Sequence, residues 1–124
     1  MINLFLISFF ITFVVVRVIA HTFHDRKNYG TNAENSKTIT GWLRNKTGFD
    51  WHHIHLGFIL LIISLSLIFY KITSFSIMLL AISLSLITDQ ILPLLNFGNY
   101  FSKKMIIGAI ILHLVVSFLA IMIS

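Results

Sequence analysis

Cysteine is absent from this chain, proline occurs once, and only four side chains are acidic. Without cysteine there is no disulfide, no thiolate metal site and no thiol nucleophile, and the redox state of the compartment leaves no mark. Charge is scarce as well. Asp, Glu, Lys and Arg make up 10% of the residues, against about 25% in a soluble domain, so water is not the main solvent of this protein. What fills the gap is apolar: 57% of the 124 residues are hydrophobic. At that length there is room for a single membrane domain over 1–124 and for no separate extramembrane module.

Lys and Arg exceed Asp and Glu by nine to four, a net charge of +5. In a soluble protein such an excess suggests nucleic acid. Here the cations flank apolar runs and no recognition motif accompanies them, so anionic lipid headgroups are the expected partner and nucleic acid is not.

Four apolar runs cover about 2–20, 54–70, 72–95 and 104–123. Each approaches the ~20 residues that cross ~30 Å of hydrocarbon at 1.5 Å per residue. In lipid the backbone must satisfy its own hydrogen bonds, and four segments are too few to close a barrel, so the runs are helices. The expected fold is an all-α integral membrane protein, four transmembrane helices in a small antiparallel bundle. The first run is read as a span rather than a signal peptide, because Arg17 and the later charges follow its apolar stretch instead of preceding it.

The cations also orient the chain. Arg17, Arg26, Lys27, Lys37, Arg44, Lys46, Lys103 and Lys104 belong to one side of the bilayer, and only Lys71 to the other. The positive-inside rule then places the 21–53 loop and the 96–104 turn in the cytoplasm of a cell-membrane protein with both termini outside. Trp42, Leu43, Phe49 and Trp51 alternate with Arg44 and Lys46, a pattern that suits the headgroup layer. Arg26, Lys27, Arg44 and Lys46 are the candidates for binding anionic, phosphate-bearing headgroups.

Ionisable residues inside a span cost about 2.5–3.5 kcal/mol at the centre, so each one asks for a reason. Asp89 lies roughly two turns inside the third span and needs a cation, a metal or a histidine as partner; Arg17 or a histidine is the structural alternative to a ligand role. Pro93, four residues on, cannot donate to the Asp89 carbonyl and leaves it as an extra acceptor. His21, His24 and Asp25 end the first span. His52, His53 and His55 begin the second, with His52 and His55 able to face one centre and His53 directed to the Gly57 side. His113 sits near mid-depth in the fourth span on a small, polar stripe with Ala109, Ser117 and Ala120, which is expected to face protein.

By topology His24, His55 and Asp89 fall near one depth, with His52 beside them and His113 deeper. His24, His52, His55, Asp89 and His113 are therefore the candidate metal ligands, a His-rich set with a carboxylate that suits Zn²⁺ or non-haem iron, copper less well. That pattern points to a metal-dependent enzyme or redox protein acting on lipid or a small substrate; no residue fixes the reaction type. The alternative is a non-catalytic subunit of a larger membrane complex, with other membrane chains or further copies of itself as partners. Haem bound by two histidines is a third reading.

Overall fold

The structure, a computed structural model, describes residues 1–23, 42–43, 46–47, 52–95 and 99–124. Among them are four long helices and no strand: α1 (Ile2–Phe23), α2 (His53–Tyr70), α3 (Ser74–Leu94) and α4 (Lys103–Met122). All four are long and apolar enough to cross a membrane, and the all-helical expectation holds. The shortest has 18 residues, about 27 Å at helical rise.

Local chemistry sets the helix ends. Lys71–Thr73 is extended and reverses the chain between α2 and α3. Thr73 Oγ1 accepts from the Ser76 amide at 3.1 Å while Ser76 Oγ accepts from the Thr73 amide at 2.9 Å, a reciprocal cap that supplies two orphan donors of the first turn. Ser102 Oγ accepts from the Met105 amide at the start of α4. At the start of α2 the cap is a histidine: His55 Nδ1 accepts from the His52 amide at 3.0 Å.

Helix α3 is the hub. It packs against α1, α2 and α4, whereas α1 and α4 meet only slightly. Its buried residues are Ser76, Ala81, Ser83, Ser85, Leu86, Thr88, Asp89 and Gln90, mostly small or polar. Among the described residues, ten polar or charged side chains are buried against eight apolar ones, while Ile7, Ile62, Phe69, Leu114 and Phe118 lie exposed. That inverts the soluble pattern and matches helices solvated by lipid, where small residues let backbones approach.

Helix α2 meets α3 most closely at Gly57. A Cβ there would stand 2.9 Å from Ile87 Cγ1, 3.1 Å from Leu86 Cβ and 3.1 Å from the Ser83 carbonyl oxygen. Packing differs along the bundle axis. Towards the chain termini, Phe5, Phe9 and Ala81 form an apolar core with Phe10, Leu80 and Ala120 against it. Towards the 21–53 loop the interior becomes polar.

Candidate functional site

The polar end is organised by Asp89, 1% exposed. Its Oδ1 accepts from Arg17 Nε of α1 at 2.6 Å. Its Oδ2 accepts from His53 Nε2 of α2 at 3.0 Å and from the Tyr100 hydroxyl at 2.5 Å. One carboxylate therefore joins three helices and the α3–α4 connection. Arg17 also reaches backbone, donating from Nη1 to the Tyr100 carbonyl at 3.0 Å and from Nη2 towards the Asp89 carbonyl at 3.5 Å. The latter is the acceptor that Pro93 leaves without a helical partner. The guanidinium lies 4.0 Å from the Tyr100 ring centroid, adding a cation–π contact.

Gln90 builds a second link between α2 and α3. Its Oε1 accepts from the Ile54 amide at 3.2 Å, which fixes the orientation of the side-chain amide, so Nε2 donates to His52 Nδ1 at 2.9 Å. The neutral His52 ring then carries its hydrogen on Nε2. His55 Nδ1 is likewise an acceptor, taken by the His52 amide.

The histidine partner of Asp89 is thus His53, on the Gly57 side of the helix, and not His55. The reason lies at Gly57. His53 precedes it by four residues and shares its side of the helix, and that side packs against α3. A glycine in an apolar helix marks a close approach, so the signal was present. Tyr100 carried none, since an aromatic residue in a turn beside the bilayer reads equally well as an interfacial anchor.

His113 is fully buried at mid-depth, between Phe9 and Phe13, with ring centroids at 4.6 and 4.3 Å. Nδ1 donates to the Ala109 carbonyl at 2.8 Å, leaving Nε2 to accept from Ser85 Oγ at 3.1 Å. Both ring nitrogens are engaged. The stripe faces protein: Ala109, His113 and Ser117 are buried and Ala120 packs on the apolar core. His21, in the last turn of α1, donates from Nδ1 to the Arg17 carbonyl and sets its ring edge-on to Phe101.

Of the five candidate metal ligands, His52, His55, Asp89 and His113 are among the described residues. Among the described residues no three His, Cys, Asp or Glu side chains are grouped to hold a metal ion. Asp89 is already neutralised by Arg17, His52 and His55 turn acceptor nitrogens to donors of this chain, and His113 is occupied on both sides. His24 lies outside the described residues, as do Arg26, Lys27 and Arg44 of the expected headgroup-binding set. The fourth cation, Lys46, is exposed and stands 5.0 Å from the Trp42 ring centroid.

What the arrangement does chemically is tie the ends of α1, α2 and α3 and the α3–α4 connection together through the buried Arg17–Asp89 ion pair and its hydrogen bonds. No protein-family model, curated protein or solved structure matches the chain, so the geometry alone speaks to its function.

Proposed function

We propose that this chain is a non-catalytic subunit of a larger membrane assembly, a small helical element that packs among other membrane chains. One observation carries the reading: the buried ionisable groups Arg17, Asp89 and His113 are each satisfied within the chain. Polar residues that looked like a reaction centre are explained by the cost of leaving them unpaired in lipid. A metal-dependent reaction at Asp89 would require the carboxylate to give up Arg17 and strand a buried guanidinium.

Solubilised in mild detergent from its native membrane, the protein is expected to migrate with partner chains, well above its 14.2 kDa mass, and without stoichiometric zinc or iron. Migration as a lone monomer would overturn the assignment. Stoichiometric metal that disappears in Asp89→Asn, with the fold kept, would restore the metal-centred reading. A complex containing only copies of this chain would make it a homo-oligomer.

The assembly is oriented with the polar end in the cytoplasm, from the one-sided distribution of Lys and Arg. The chain has no native cysteine, so single cysteines report cleanly. Lys71→Cys is expected to react with an impermeant reagent added outside intact cells, and Lys104→Cys only after the membrane is opened. The reverse pattern would invert the orientation.

A further inference from the structure

The end of the bundle away from Asp89 carries a different chemistry. Phe69 and Tyr70 close α2 with 91% and 90% of their surface exposed, and no other large apolar or aromatic side chain among the described residues is as open. Packing within this chain therefore makes almost no use of either ring. Lys71, Ile72 and Phe75 follow in and just after the turn, exposed as well. Lys71 is also the one lysine or arginine that the order of the helices assigns to this end.

Length and backbone fix where the turn lies. Helix α2 has 18 residues, about 27 Å at helical rise, against ~30 Å of hydrocarbon. Asp89 and Gln90 hold its first turn at the polar end, so Tyr70 reaches only the far edge of the hydrocarbon. A helix leaves its last four carbonyls without helical donors. The Lys71 amide takes that of Leu67 at 2.8 Å. Helix α2 itself offers nothing to those of Ile68, Phe69 and Tyr70, and acyl chains have no donors. A short span so placed draws headgroups down to it and lets its flanking cation snorkel up to them.

We propose that Phe69, Tyr70 and Lys71 form a binding site for an anionic lipid in the leaflet opposite the polar end. Phe69 lies among the upper acyl chains, and the Tyr70 hydroxyl and Lys71 ammonium take the lipid phosphate. Aromatic rings and a cation at this level are the side chains that the headgroup layer accommodates. Another helix is a poorer occupant, since none of Phe69, Tyr70, Lys71 and Ile72 is small enough to let backbones approach. The site is formed by this chain alone and stands whether or not partner chains exist.

The test uses full-length protein in vesicles of phosphatidylcholine and phosphatidylglycerol. Trp42→Phe, Trp51→Phe and Phe69→Trp together leave one tryptophan, at the turn. Phe69 is too exposed for the exchange to disturb packing. Lipids brominated high or low on the acyl chain report its depth, and acrylamide reports access from water. Bromines high on the chain are expected to quench most. At equal fractions, brominated phosphatidylglycerol should be about fivefold enriched over brominated phosphatidylcholine around the tryptophan, the ratio for about 1 kcal/mol per lysine near the surface. Lys71→Gln should abolish that preference without changing the depth. Quenching by acrylamide alone would place the turn in water, and protection from both quenchers would mean that a second copy covers it. Either result overturns the proposal. So does strongest quenching from the chain ends, no preference for phosphatidylglycerol, or a preference unchanged in Lys71→Gln.

Discussion

Asp89→Asn is expected to destabilise the bundle by about 3 kcal/mol, the low end for breaking a buried ion pair from one side. The substitution keeps the shape of the side chain and removes its charge. Arg17 would then be a buried guanidinium with only carbonyl oxygens and an aromatic face around it. Two effects compete over the size of the loss. Desolvation of the unpaired cation raises it, while the long arginine stem can carry the charge towards the headgroups and lower it. Arg17 is only 8% exposed, so most of the penalty remains. In Arg17→Leu the carboxylate is stranded instead, and a comparable loss is expected.

The double variant Arg17→Leu with Asp89→Leu removes both charges. Its loss should fall short of the sum of the single losses by roughly 1.5 kcal/mol or more, within the range seen for directly coupled residues. Reversible unfolding in mixed micelles, followed by far-UV circular dichroism, measures all three. Strictly additive losses would show that the 2.6 Å contact is not an energetic pair.

The second large effect is expected at Gly57. Alanine would bring a gain of about 1 kcal/mol in helix propensity and a methyl group into the α2–α3 contact. The methyl would meet Leu86 Cβ and the Ser83 carbonyl oxygen at 3.1 Å each, and Ile87 Cγ1 at 2.9 Å. Two of these atoms belong to or adjoin the backbone and move only if the helices separate. Overpacking of that kind costs about 1–3 kcal/mol, so the clash wins and Gly57→Ala is expected to be destabilising.

A leucine at the same position is expected to lose about 3 kcal/mol, the upper part of that range. It should also draw His53 away from Asp89, because the two positions share a face. Gly108 is the control. Among the described residues, the only atom near a Cβ there is Leu92 Cδ1, at 2.5 Å, the free end of a flexible side chain. Gly108→Ala should be neutral or slightly stabilising in the same unfolding assay. Equal losses at both glycines would mean that the α2–α3 approach has no special place in the packing.

The sequence discloses this site only in part. The cost of a carboxylate in hydrocarbon made Asp89 conspicuous and demanded a partner, and Arg17 and the histidines were the available ones. Choosing among them required the rotation of α2 about its own axis. In a helix that is apolar on every side, hydrophobic periodicity carries no rotational information, because lipid and protein interior are equally apolar. Only the small residues Gly57 and Ser64, seven apart and both buried, held it.

The sequence by itself determined the solvent, the number of helices and the end of the bundle where polar groups gather, since hydrocarbon thickness and backbone hydrogen bonding leave no other solution for four long apolar runs. Tertiary structure decided the partners. It made α3 the hub, turned His53 rather than His55 towards Asp89, and brought Tyr100 from the connecting turn onto the same carboxylate. It also occupied the nitrogens of His113 with Ser85 and Ala109. The physical reason is one of direction. Burial cost is a property of a residue and its depth, whereas a hydrogen bond or a metal–ligand bond depends on where the lone pairs point, and that is set only once the helices have packed.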